Sequence, residues 1–98
     1  MTIHKTVNGT SLGVALEGRL DTTTAPQLEA ELKSSLSGVT QLAFDFAELQ
    51  YISSAGLRVL LSTQKVMNHQ GTMVVRNANE TILEVFEDTG FIDILTVE

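Results

Sequence analysis

The sequence contains no cysteine, so neither disulfide bonds nor thiolate metal sites are available to this chain. Long hydrophobic runs are also missing, since every apolar stretch is far shorter than the ~20 residues that a membrane-spanning helix needs. The N-terminal stretch MTIHKTVNGT includes no apolar run of the kind found in secretory signal peptides. We therefore expect a cytoplasmic protein that uses no membrane segment, no metal and no other cofactor.

Positive charge is scarce and dispersed. The chain has 6 Lys and Arg residues against 12 Asp and Glu residues, a formal net charge of -6. The cations are Lys5, Arg19, Lys33, Arg58, Lys65 and Arg76. Nucleic-acid binding needs a clustered positive surface, so we expect no direct contact with DNA or RNA. The two histidines, His4 and His69, lie far apart without ligand spacing, which argues against a metal site or a catalytic pair.

Hydrophobic residues make up 43% of the 98 residues, enough for one core and one small domain over residues 1–98. In chain order, the patterns predict a strand over 1–7, a strand ending near Leu20, a helix ending at Gly38, a strand over 41–47, a loop over Glu48–Ile52, a helix ending at Gly71, a strand over Met73–Arg76, a helix ending at Gly90 and a strand over Ile92–Val97. The order β-β-α-β-α-β-α-β predicts an α/β domain. We expect a mixed, mostly parallel sheet of four to five strands with helices packed largely on one face.

Local signals support three of these boundaries. Asn8-Gly9 is a strong hairpin turn signal between the first two strands. Thr24 and Gln27 form a capping-box pattern at the start of the first helix. Asn79 is a natural N-cap for the third helix.

The stretch YISSAGLRVLL places two serines and two small residues where the second helix is predicted to begin. Either Ser53 or Ser54 can cap this helix, because a serine oxygen accepts from a free N–H of the first turn. Gly56 lowers helix stability by roughly 1 kcal/mol relative to alanine, so a conformational reason or the close approach of another chain is expected there. The local chemistry leaves two interpretations open, a helix cap or a modification or anion-binding site.

Three motifs resemble those of STAS domains, in particular of bacterial anti-sigma-factor antagonists. ISSAGL, preceded by the strand LAFDFA, is similar to the family motif in which Asp, Ser, a small hydroxyl residue and Gly-Leu open a helix. GRLD at 18–21 is similar to the family's Gly-Glu-Leu-Asp, and DTGF at 88–91 is similar to the Gly-Leu or Gly-Phe that closes its last helix. Together the motifs span almost the whole chain.

The resemblance implies roles for residues around the second helix. Ser54 falls at the family's phosphoacceptor position, with Ser53, which stands where the family often has aspartate, as the alternative acceptor. Asp21, Ser53, Ala55 and Gly56 are then expected near the phosphorylation site. Expected partner-binding residues are Asp21, Ser54, Gly56, Leu57 and Arg58.

The resemblance also implies a partner switch without enzymatic activity. The unphosphorylated form would bind an anti-sigma factor that is also a serine kinase, which frees a sigma factor. Phosphorylation by that kinase would end the binding, and a phosphatase would restore it. The alternative within the family is a scaffold, a sensor or a lipid-transport subunit that is never phosphorylated.

Other polar residues allow more than one interpretation. Asp45 either contacts the Ser54 loop or faces solvent from its strand. Arg58 is either a partner contact or an ordinary solubilising charge. Residues 62–65 fit the S-x-x-K pattern of some acyl-transfer enzymes, but the companion motifs are absent, and we therefore expect no catalytic residue.

Overall fold

Four strands and three α-helices make up the computed structural model, which describes residues 1–98. In chain order they are β1 (Thr2–Asn8), β2 (Ser11–Leu20), α1 (Ala25–Ser35), β3 (Gln41–Ile52), α2 (Ser54–Asn68), β4 (Thr72–Arg76) and α3 (Glu80–Thr89). A 3-10 turn at Phe91–Asp93 follows α3. The observed order β-β-α-β-α-β-α confirms the predicted α/β class.

The four strands form one sheet in the order β1-β2-β3-β4. β1 and β2 are antiparallel and are joined by a tight turn, where Gly9 adopts the left-handed conformation that such turns require (φ 63°). β2 pairs with β3 and β3 pairs with β4 in parallel, because α1 and α2 provide the crossover connections. The predicted mixed, mostly parallel sheet is confirmed.

The hydrophobic core lies on one face of this sheet. Alternate residues of β2 and β3 point into it and are fully buried, among them Leu16, Phe44 and Phe46. The helices add Leu28, Leu60, Ile82 and Phe86. Intervening sheet residues such as Gly13 and Ala43 line shallow clefts on the opposite face. The helices therefore cover one face of the sheet, as the alternating sequence pattern predicts.

β3 is longer than its hydrophobic alternation predicts. The predicted loop Glu48–Ile52 continues the strand, because β2 extends beside it until Leu20 lies opposite Ile52. Two register shifts in this pairing reset the alternation, so Leu49 and Ile52 return to the core after the pattern breaks. The extra length carries the end of β3 directly to the start of α2.

The capping box predicted for α1 is wrong. Thr24 precedes the first helical residue, Ala25, but its side chain makes no capping hydrogen bond to the helix. Its hydroxyl donates to the Arg19 carbonyl at 2.8 Å and accepts from the Asp21 N–H at 2.9 Å. The hydroxyl thus closes the turn that follows β2, a use that depends on the path of the chain before the helix.

The three glycines that were predicted to end helices lie at different distances from the observed helix ends. α1 and α2 end three residues before Gly38 and Gly71, respectively. α3 ends immediately before Gly90, which adopts the left-handed conformation typical of a helix C-terminus (φ 80°).

The last predicted strand, Ile92–Val97, is not a strand in the structure. The chain makes the 3-10 turn after Gly90 and then forms a single parallel bridge between Val97 and Val75 of β4. Leu95 is buried while Ile94 is 46% exposed, so the apolar run anchors the end of the chain to the core at one point. Hydrophobic content alone predicted a strand, but the turn leaves too few residues alongside β4 to form a ladder.

Candidate functional site

The carboxyl ends of β2 and β3 bring two separate segments together at one edge of the sheet. Leu20 and Ile52 are register partners, and the Ser53 N–H donates to the Leu20 carbonyl at 2.9 Å. The turn after β2 (residues 21–24) and the start of α2 (residues 53–58) therefore emerge side by side. We call these two segments the serine edge.

The two serines of the serine edge have different environments. Ser53 is the N-cap of α2, with extended backbone angles (φ -99°, ψ 175°), and its Oγ accepts from the Gly56 N–H at 3.4 Å. Ser54 is the first helical residue and is exposed, and its hydroxyl makes no hydrogen bond within the chain. The capping role thus falls to Ser53, and the hydroxyl of Ser54 is free to meet solvent or another molecule.

Gly56 is explained by close packing inside this chain. A Cβ atom at this position would lie 2.7 Å from Cγ of Leu20 and 2.8 Å from Cγ1 of Ile52. The first turn of α2 therefore rests directly on the ends of β2 and β3. The chain's own strands make this close approach, whereas the sequence led us to expect a conformational reason or another chain.

Two of the expected partner-binding residues are enclosed by the fold. Gly56 is buried, and Leu57 is only 5% exposed. Neither residue has enough exposed surface for a docking protein to contact, so neither belongs to the exposed part of the serine edge. They support it from beneath, whereas Ser54 and Arg58 are exposed and Asp21 and Ala55 are partly exposed.

Asp21 organises the turn that faces the serines. Its Oδ1 accepts from the backbone N–H groups of Thr23 and Thr24 at 3.0 and 3.1 Å. The hydrogen bond from the Thr24 N–H is the main reason that the pKa of Asp21 lies below its usual value, and the Arg19 guanidinium, 3.8 Å from Oδ2, adds to the effect. The turn therefore presents a carboxylate that is ionised at neutral pH.

Arg19 and Tyr51 form a contact that the sequence alone did not reveal. They are register partners on β2 and β3, and the Arg19 guanidinium lies 4.3 Å from the centre of the Tyr51 ring. Such a cation–π contact holds the guanidinium in place beside Asp21. No spacing in the sequence could indicate it, because the pairing depends on the register shifts between the two strands.

Asp45 lies away from the serine edge. Its Oδ1 accepts from the Ala47 N–H at 2.9 Å and from Nδ2 of Asn77 at 3.0 Å. The hydrogen bond from Asn77 is the main cause that lowers the pKa of Asp45. Of the two interpretations left open by the sequence, contact with the Ser54 loop is wrong. The carboxylate instead joins β3 to the end of β4.

The lowered pKa values predict acid sensitivity of the fold. A carboxylate with a depressed pKa in the folded state stabilises the protein above the unfolded pKa of about 4, and this contribution is lost as pH falls through the folded pKa. In wild type, the urea midpoint of unfolding should fall between pH 6 and pH 3. We expect it to fall less in Asp21→Asn and in Asp45→Asn. Asp93→Asn, which removes an exposed carboxylate of the 3-10 turn that has no hydrogen-bond or ion-pair partner, is the control. An unchanged acid dependence in both test variants would contradict this assignment.

Arg58 lies in a surface cleft between α1 and α2 that opens next to the serine edge. The cleft is lined by Thr22, Pro26, Glu29 and Ala55 together with Arg58. Four of the six cations lie within ion-pair distance of a carboxylate: Lys5, Arg19, Lys33 and Arg76. Arg58 has no such partner, so its charge is available at the exposed surface.

No helix is both long enough and apolar enough to cross a membrane. No group of three or more His, Asp or Glu side chains is arranged to hold a metal ion. His4 on β1 contacts the Glu17 carboxylate on β2 at 2.6 Å.

The mixed sheet, the one-sided helices and the helix that opens at the sheet edge together define a small SpoIIAA-like α/β domain. The STAS domain family matches residues 2–98, and the chain belongs to this family. The resemblance seen in ISSAGL, GRLD and DTGF is thereby confirmed.

Two relatives carry antagonist names. A protein of Bordetella bronchiseptica named "Putative anti-sigma factor antagonist BtrV" is 40% identical over 84 residues, covering 84% of this chain and 72% of that protein. The anti-sigma-B factor antagonist of Bacillus subtilis is 28% identical over 91 residues, covering 92% of this chain and 84% of that protein.

Solved structures share the fold at lower identity. The anti-sigma factor antagonist SpoIIAA in its unphosphorylated form superposes with a TM-score of 0.78 at 19% identity, over 99% of this chain and 87% of that chain. The phosphorylated form of SpoIIAA gives a TM-score of 0.77 at 20% identity, over 99% and 91%. An anti-sigma factor antagonist from Mycobacterium paratuberculosis gives 0.88 at 20% identity, over 98% and 83%.

Proposed function

We propose that this chain is an anti-sigma-factor antagonist whose binding to its anti-sigma factor is controlled by phosphorylation of Ser54. The observation that carries the proposal is the free, exposed hydroxyl of Ser54 at the first residue of α2. The names of the relatives from Bordetella and Bacillus support the antagonist role. The existence of SpoIIAA in phosphorylated and unphosphorylated forms supports control by a phosphate.

In the proposed cycle, the unphosphorylated chain docks on an anti-sigma factor through the exposed part of the serine edge. This docking releases a sigma factor in the cytoplasm. The anti-sigma factor acts as a serine kinase on Ser54, and the added phosphate brings about -1.5 to -2 charge to the contact surface. A separate phosphatase removes the phosphate and returns the chain to its binding form.

The fold tolerates a phosphate at Ser54. The side chain is exposed, so the phosphate remains in water, and the free N–H groups of the first turn favour negative charge there. Ser53 is less suited because it is half-buried and its oxygen caps α2. Phosphorylation of Ser54 would therefore end docking without unfolding the domain.

The proposal is tested by incubating the chain with candidate anti-sigma factor kinases and ATP, followed by intact-mass measurement. Wild type should gain one phosphate, and Ser54→Ala should gain none. Ser53→Asp is the matched control, because aspartate keeps the helix cap but removes the alternative hydroxyl. It should gain one phosphate like wild type.

The other outcomes discriminate among the remaining possibilities. Phosphate on Ser54→Ala but not on Ser53→Asp would transfer the acceptor role to Ser53. No mass increase with any candidate kinase would contradict the switch and favour an unphosphorylated scaffold or sensor role.

A further inference from the structure

We propose that Arg58 is an internal receptor for a phosphate on Ser54, so that phosphorylation occupies the one free cation of the serine edge. This inference rests on the proposed phosphorylation of Ser54. It adds a second effect of the phosphate, since the guanidinium is withdrawn from docking at the same time as negative charge is introduced.

The spacing of the two residues on α2 favours this contact. Ser54 and Arg58 are four residues apart on one continuous helix and both are exposed. Residues at this spacing have Cβ atoms about 5–6 Å apart, and the acidic group is better placed when it precedes the cation. A guanidinium also presents paired N–H donors that match the oxygens of a phosphate.

The charge of Arg58 is not already committed to another group. It has no ion pair and no side-chain hydrogen bond, unlike Arg19, which lies beside Asp21 and stacks on Tyr51. The other unpaired cation, Lys65, lies about two turns beyond Arg58 along α2 and therefore far from Ser54. Arg58 is thus the cation that a phosphate on Ser54 can reach without breaking an existing ion pair.

Neighbouring carboxylates compete weakly for Arg58. Glu29 lines the same cleft, but its carboxylate lies 3.3 Å from Nζ of Lys33. Asp21 is held by the N–H groups of its own turn. A phosphate carries more charge than either carboxylate and would be tethered one helical turn from the guanidinium. The phosphate is therefore the favoured partner.

The test uses full-length chain with phosphoserine inserted at position 54 during translation, which requires no kinase. The second ionisation of the phosphate, with a pKa of about 6, is followed by ³¹P NMR as a function of pH. Loss of a nearby cation raises the pKa of a phosphate, and we expect Arg58→Gln to raise it by about 0.2–0.4 unit. Arg58→Lys should retain most of the wild-type value, and Lys65→Gln should match wild type.

The outcomes separate this inference from the proposed function. The same phosphate titration in Arg58→Gln and wild type would overturn the role of Arg58, whatever a kinase does to Ser54. An equal shift in Lys65→Gln would also overturn it, since the effect would then reflect overall charge. A shift confined to Arg58→Gln would support the contact, even if no anti-sigma factor kinase phosphorylated the chain.

Discussion

Ser54→Asp is expected to bind the anti-sigma factor about tenfold to a hundredfold more weakly than Ser54→Ala. The aspartate places a fixed negative charge where the hydroxyl of Ser54 now faces solvent without a hydrogen bond. Charge forced against an apolar or acidic partner surface loses its hydration, and a loss of ~1.4 kcal/mol is tenfold in affinity. Full phosphoserine, with nearly twice the charge, is expected to weaken binding several-hundredfold.

The fold should be insensitive to the same substitution. A negative charge in the first turn of a helix is mildly favourable, by roughly 0.3–1 kcal/mol. Ser54→Asp should therefore keep or slightly raise the melting temperature, and titration calorimetry with the anti-sigma factor should report the binding change. Ser37→Asp adds the same charge at an exposed site beyond the far end of α1 and serves as the control. Equal affinities for Ser54→Asp and Ser54→Ala, or unfolding of Ser54→Asp, would refute the switch.

Gly56→Ala is expected to destabilise the domain by up to about 2 kcal/mol. The new methyl group would lie within 3 Å of Leu20 and Ile52. These contacts involve branch-point or near-backbone atoms, which cannot move aside as freely as the end of a long side chain. Overpacking of this kind typically costs about 1–3 kcal/mol, and the higher helix propensity of alanine offsets roughly 1 kcal/mol of it.

Thermal or urea unfolding measures this effect, and a second glycine provides the control. A Cβ atom at Gly13 would lie 3.8 Å from Thr6, an ordinary van der Waals distance. Gly13→Ala should therefore leave stability unchanged or raise it slightly. If Gly56→Ala proved as stable as Gly13→Ala, close packing against β2 and β3 would not be the reason for glycine at this position.

Ser53 caps α2 without an acidic side chain. Where the resemblance implies an aspartate, the Ser53 oxygen accepts from the Gly56 N–H of the first turn. Here the cap is long, at 3.4 Å, and uncharged. With Ser53 as the cap, Ser54 is the first helical residue of α2.

The fold class and most elements follow from interactions between residues that are near in sequence. Alternation through Leu12 and Leu16 marks a half-buried strand because successive side chains point to opposite faces. Asn79 caps α3 as predicted, with its Oδ1 accepting from the Ile82 N–H at 2.9 Å. Gly90 ends the same helix through its own backbone conformation. Each of these features is decided within a few residues, so the sequence was sufficient.

The details of the serine edge depend on contacts between residues distant in sequence. From the sequence alone, either serine could cap α2. The structure assigns the cap to Ser53 and leaves the Ser54 hydroxyl free, because β3 extends to Ile52 and places the start of α2 beside the end of β2. The need for glycine at position 56 arises from side chains on two other elements. The Thr24 hydroxyl donates to the Arg19 carbonyl, five residues earlier, because of the turn that the chain makes before α1. The Ile92–Val97 segment pairs with β4 at a single bridge because of the turn that follows α3. Packing across elements sets these positions, and no local pattern carries that information.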